Sequence, residues 1–375
     1  LNCKDFILTQ IKSIKTFTVK NLISLIEKEL ITLYNNPSRS QKYFLKNKRK
    51  EKWSAIALHA KVSEFPCLHF FMNIKEITLP LRKAFVKECD FSLPVLSDPY
   101  FAYFVNLFNE YDNTLISRLK CFMDCVNQFG GEQNYFTELK RLKESVIEHI
   151  KSKTQYICLN ENDFPAYMMK FLSEYRLCTN ELFCKEKCGK EYISLDITKA
   201  NFESFKYMSP QIVDNYDTYE LFISQFFKHD HLINSRNIRQ YIFGNLSPKR
   251  QNTILQYITK RMYKDIVANI PKAKLSTHSQ DELVFEKDDN ISSELIREAL
   301  KLCTVSFKLT EFTLDRIGDH PFYIKKMNDG TFQLKCIPDY FLAQVYKKAM
   351  NKSIEELDLV FMFDCQLSKF ITPLF

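Results

Sequence analysis

Three carboxylates carry the chemistry most directly legible in this chain. Asp196 closes the short apolar run Tyr192-Ile193-Ser194-Leu195, and Asp281 and Glu282 stand side by side in STHSQDELVFE, between two runs of strand formers. Adjacent acids at a tight turn repel one another, which is costly unless a cation offsets the charge. Magnesium and manganese take oxygen ligands, so Asp and Glu are the side chains suited to them. Two such ions held by carboxylates can activate an attacking hydroxyl and stabilise a leaving phosphate. The alternative is a solvated turn, since Asp is common in turns.

Basic residues supply the complementary chemistry. The chain has 375 residues and a formal charge of +8, and the first 60 residues hold 12 Lys/Arg against 4 Asp/Glu. Lys46, Lys48, Arg49 and Lys50 lie at the centre of that excess, in SRSQKYFLKNKRKEKW. A second stretch free of acids runs from Arg236 to Lys264 and includes Arg239, Lys249 and Arg250. Two such stretches favour a polyanion partner, most simply nucleic acid. Two solvated helix faces are the alternative. Only 6 Gly are present, and none cluster except Gly130-Gly131, so a Gly-rich phosphate loop is excluded.

The 12 Cys are irregularly spaced, as in a reducing compartment with free thiols. Cys178, Cys184 and Cys188 offer part of a zinc set, which His229 or His231 would have to complete. Thiols one helical turn apart are the competing explanation, and it applies more strongly to Cys121 and Cys125 among their apolar neighbours. FKHDHL reads as a polar loop. There is no Ser-centred nucleophile elbow and no supported Cys-His pair.

The elements that position these residues follow from periodicity. Residues 1–150 read as mostly helical: KNLISLIEKELITLYNN has a helical apolar period, PYFAYFVNLFNEYDNTLISRLKCFMDCVNQFGG gives one or two buried helices, and FTELKRLKESVIEHIKSK is amphipathic. Beyond residue 155 strand formers appear in QYICL, YISLD, KAKLSTHS, ELVFEK and TVSFKLTEFTL. FYIKKM and FQLKCI flank Asn328-Asp329-Gly330, a hairpin signal. Helices are expected over 216–227, 249–269, 293–302 and 340–350. The expected class is α+β: a helical N-terminal region (1–150), a central palm-like antiparallel sheet with helices (151–290) and a small C-terminal α+β unit (291–375), parted at EKDDNISSE. No run approaches the roughly 18–20 apolar residues of a membrane span, and LNCKDFILTQIKSIK shows no signal-peptide pattern. An intracellular setting, cytoplasm or nucleus, is expected.

The order strand-Asp, basic loop and helix, hairpin with paired acids resembles the palm of right-handed nucleic-acid polymerases. Those enzymes place one Asp at a strand end and acids at a hairpin tip, holding two divalent cations about 3.5–4 Å apart. DELVFE is similar to the third conserved element of bacterial family A DNA polymerases, with Gln280 in place of the preceding His. RNIRQYIFGNLSP resembles that family's nucleotide-binding helix, with Arg239 and Phe243 in similar places. The spacing of Asp196, Gly244 and Asp281 is instead similar to the compact palms of reverse transcriptases and RNA-dependent RNA polymerases. LDITKANF resembles the reverse-transcriptase pattern of Asp, three residues, Ala and an aromatic.

The resemblance covers residues 190–287 and implies metal-dependent nucleotidyl transfer on a nucleic-acid strand. Asp196 and Asp281 would hold magnesium or manganese, with Glu282 an auxiliary ligand or hairpin organiser. Arg239, Lys249, Arg250 and Lys199 would meet the nucleoside triphosphate or backbone phosphates. Asn201, after Ala200, would stand at the gate against the sugar 2′-hydroxyl. A non-catalytic nucleic-acid-binding or assembly protein is the alternative.

Overall fold

The computed structural model describes residues 77–375, apart from 90, 91, 112 and 178–180. Lys46, Lys48, Arg49, Lys50, Cys178 and the expected helix in KNLISLIEKELITLYNN lie outside the described residues. A helical layer comes first: α1 (Leu79–Lys87), α2 (Tyr100–Asn109), α3 (Leu115–Gln128), α4 (Glu132–Lys151), α5 (Thr154–Glu161) and α6 (Ala166–Glu174). Thr78 caps α1 by accepting the Leu81 N–H. The turn between α3 and α4 needs positive φ at Gly130 and Gly131, 80° and 108°, which glycine alone adopts freely. Tilted and edge-on rings hold the layer, with Phe122 5.8 Å from Phe85 and 5.7 Å from Tyr135.

The sheet begins with β1 (Lys190–Ile197). Then come α7 (Ala200–Met208), the short α8 (Tyr219–Ile223) and α9 (Asp230–Ile233), α10 (Arg236–Gly244) and α11 (Pro248–Asn269). The hairpin β2 (Lys274–His278) and β3 (Glu282–Glu286) follows, then α12 (Ser293–Ala299), β4 (Phe307–Arg316), β5 (Tyr323–Met327) and β6 (Phe332–Lys335). The chain ends with α13 (Leu342–Ala349) and the small hairpin β7 (Val360–Phe363) and β8 (Gln366–Lys369).

The six strands pair antiparallel in the order β2-β3-β1-β4-β5-β6. β3 inserts between β1 and β2, and β4 lies on the far side of β1. That is the split β-α-β arrangement, in which crossover helices cover one face. Alternation turns Ile193, Leu195, Leu283 and Phe285 to the helical face, where Phe285 stacks on Tyr263 of α11 at 6.2 Å. The opposite face carries Tyr192, Val284, Phe312, Leu314 and Tyr323, packed under Leu182 and Phe183. Asp196 belongs to this second face, two residues beyond Ser194.

The α+β class holds, but three expectations differ from the structure. FKHDHL is not a polar loop but runs into α9, with Phe227 and Leu232 fully buried. QYICL is part of α5 and not a strand. A five-residue apolar run cannot separate the two by period. Tertiary anchors decide, because Tyr156 and Leu159, at helical spacing, are the buried pair, and Tyr156 packs its ring on Phe205 at 5.8 Å. The boundary at residue 290 cuts through the sheet. β4 pairs with β1 over eight registered positions, Lys190↔Leu314 to Ile197↔Phe307, and β3 pairs on the other side of β1. The C-terminal unit also joins the helical layer, through a Tyr103 hydroxyl donating to buried Asp358 at 2.6 Å and Phe108 against Tyr346 at 5.5 Å.

Candidate functional site

The acids gather at one end of the β1–β3 pair. Asp196 lies directly opposite Glu282, so their Cβ atoms are about 4.5–5.5 Å apart by strand geometry. Asp281 shares the hairpin turn with Gln280. The Ser279 N–H donates to the Glu282 carbonyl at 2.8 Å and closes that turn. Ser279 Oγ accepts the N–H of Asp281 and of Glu282 at 3.3 and 3.1 Å and donates to Asp281 Oδ1 at 2.9 Å. The Ile197 N–H bonds the Asp281 carbonyl at 2.8 Å, tying the tip to the end of β1. From the helical side, Thr259 Oγ1 of α11 donates to the Gln280 carbonyl at 2.7 Å.

Asp196 is solvent-accessible, yet the surrounding protein and the charges of Asp281 and Glu282 push its carboxyl up to about 6. Lys325 and Arg236 pull it the other way. An acid held up by like charge gains from a cation. Glu282 is turned elsewhere: its Oε1 accepts the Ser194 hydroxyl at 2.5 Å and lies 3.6 Å from Lys325 Nζ. Accordingly, among the described residues no three His, Cys, Asp or Glu side chains are grouped so as to hold a metal. The donor chemistry still fits magnesium or manganese, which keep several water or phosphate ligands and need one or two carboxylates.

Lys325 was not anticipated from the sequence. The available signal was a lysine within FYIKKM two residues from Tyr323 and Met327, both on the packed face.

The basic residues divide into two groups. Lys199, in the left-handed conformation at φ 53°, caps α7 and pairs with Glu220. Arg239 lies over the Tyr219 ring at 5.6 Å, and Lys199 Nζ is 6.0 Å from the same ring. Burial holds the Arg239 guanidinium below its ordinary range. The Tyr219 hydroxyl beneath them is buried without a hydrogen-bond partner, and burial pushes it up strongly. Arg236, at the start of α10 and of the basic stretch, lowers Asp196 by its charge. Arg250 instead stacks on Phe164 at 4.4 Å and donates to the Asn162 carbonyl, lining a cleft of about 250 Å³ with Met208 and Ile212. Lys249 is exposed at the start of α11.

Asn201 is half-buried in the first turn of α7, while Phe202 is 1% exposed and packs on Tyr219, Phe222 and Phe243. The aromatic of the LDITKANF pattern is therefore core, and Asn201 is the more open of the two.

The candidate zinc residues do not assemble among the described residues. Cys184 and Cys188 flank the 3-10 turn Lys185–Lys187, not successive turns of an α-helix. His229 packs on Phe129 at 4.9 Å and His231 on Phe122 at 5.5 Å, where burial drags the His231 imidazole down to about 4. Cys121 and Cys125 do lie one turn apart on α3. No helix among the described residues is long and apolar enough to cross a membrane. No protein-family model, curated protein or solved structure matches the chain.

Proposed function

We propose that this chain is a metal-dependent nucleotidyltransferase acting on a nucleic-acid strand, built on a polymerase-like palm. The observation that carries the reading is the position of Asp196, Asp281 and Glu282 at one sheet end, with Asp196 held up by burial and by its acidic neighbours. Magnesium or manganese, when bound, would supply Lewis-acid stabilisation of the transferring phosphate. Asp196 and Asp281 present the carboxylates for it. Glu282 organises the hairpin through Ser194. Arg239 and Lys199 offer cations to a nucleoside triphosphate, and Arg236 biases Asp196. Lys249 and Arg250 suit strand phosphates further along, and Asn201 would stand at the gate against the sugar. Lys46, Lys48, Arg49 and Lys50 add sequence-independent strand binding.

A primed template with divalent metal and nucleoside triphosphates tests this reading. Primer extension is expected from the wild type and none from Asp196→Ala or Asp281→Ala, with strand binding kept, because phosphate contacts and metal contacts use different residues. Ribonucleotides are expected to be used at least as well as deoxyribonucleotides. Activity surviving both substitutions would remove the site assignment.

A second reading, a non-catalytic nucleic-acid-binding or assembly protein, draws on the engagement of Glu282 by Ser194 and Lys325. It expects strand binding without extension under any metal or nucleotide.

A further inference from the structure

Lys325 is 8% exposed, on the packed face of β5. Its Nζ lies 4.4 Å from the centre of the Phe312 ring and 5.8 Å from that of Phe183, and its carboxylate partner is Glu282 at 3.6 Å. A lysine is rarely buried unless paired, because leaving water is costly for an ammonium. Register puts Lys325 opposite Leu314 on β4, on the same face as Tyr192 and Phe312. Its side chain lies along that face, with the ammonium over Phe312 and against Glu282. Glu282, bonded to Ser194 and facing Lys325, is not available to Asp196 and Asp281 as a third ligand. Lys325 thus pairs with one of the three carboxylates, Glu282, and its charge also acts on Asp196.

Resting on the nucleotidyl-transfer reading, we propose that Lys325 is a positioning residue: a resident counter-charge that holds Glu282 against Ser194 and sets how strongly the Asp196–Asp281 pair draws a divalent cation. The fixed ammonium keeps the acids together before a metal arrives. It also repels a second cation, so the open pair binds metal weakly until a triphosphate brings its own oxygens.

The test is titration of manganese(II) into the full chain without nucleotide, with bound ion read from the loss of the free-ion electron-spin-resonance signal. Lys325→Met keeps an unbranched stem and removes the charge. Its manganese dissociation constant is expected to fall at least about tenfold, as removal of a unit charge from a partly desolvated site implies. Lys325→Arg is expected to stay near the wild-type value. Lys325→Gln, with thermal melting of each variant, guards against a folding defect in the Met variant. Manganese binding lost in Asp196→Asn but unchanged in both neutral Lys325 variants would overturn this inference and leave the metal site standing. Binding absent from wild type yet present in Lys325→Met would support it. Binding absent from every folded variant would overturn the metal site and the inference together.

Discussion

Asp196 shows how one residue is made uncomfortable by its neighbours. Its carboxyl stands at about 6 in the fold, above the ordinary 3.8. The sign follows from linkage: the folded state holds the proton more tightly than the unfolded chain. The resulting stabilisation is fully present below about pH 4 and is lost as pH rises through about 6. At pH 7 the ionised Asp196 therefore weakens the fold. Because the residue is open to solvent, that cost is small, below about 1 kcal/mol after screening. Asp196→Asn is expected to melt at or slightly above wild type at pH 7, to show a flatter pH dependence between 4 and 6, and to extend no primer. Thermal melts at pH 4.5 and 7 check it. A variant markedly less stable at pH 7 would show that Asp196 serves the fold instead. A stability gain coupled to lost function is the pattern of a site shaped for a ligand.

At the scale of elements, the β2–β3 hairpin and α11 act as one device. The turn is held internally by Ser279 and externally by Thr259, which is 2% exposed and donates to the Gln280 carbonyl. Thr259→Val keeps the shape and removes the donor. Gln280 is exposed, so its carbonyl can turn to water, and the stability cost is expected near 1 kcal/mol. The larger expected effect is on primer extension, because Asp281 is the next residue and its placement depends on the tip. Denaturant unfolding and extension rates on the same preparation separate the two. Equal activity in Thr259→Val would show that the tip holds its geometry without α11.

At the scale of the whole molecule, the sheet ignores the boundary that composition suggests. β1 is flanked by β3 and β4, and EKDDNISSE merely leads from β3 into α12, which Ser292 caps by accepting the Leu295 N–H. Removing everything after residue 290 would strip β4 from β1 and uncover Tyr192, which stacks on Phe312 at 5.5 Å. It would also remove Lys325 from Glu282 and Asp358 from Tyr103. A fragment of residues 77–290 is therefore expected to show no cooperative thermal transition by circular dichroism, where the whole chain shows one. A sharp transition from the fragment would restore the boundary at 290.

The sequence by itself determined the elements whose signals are local. Apolar period located α11 to within a residue. Strand formers around SQDE and around Asn328-Asp329-Gly330 located both hairpins, because tight turns have few chemical solutions. The candidate acids were legible for the same reason: each sits at a strand end that its own segment announces. What only the tertiary structure decided depends on residues far apart in the chain. QYICL became a helix because Tyr156 had Phe205 to pack against. Phe202 went to the core and left Asn201 more open because Tyr219, Phe222 and Phe243 surround it. Lys199 and Arg239 met at Tyr219, whereas Arg250 went to Phe164. Lys325 meets Glu282 only in the assembled sheet, where β4, far from β1 in the chain, pairs beside it and carries β5 on its other edge. Strand order and register are set by burying both faces of the whole sheet at once, and no short window of sequence contains that constraint.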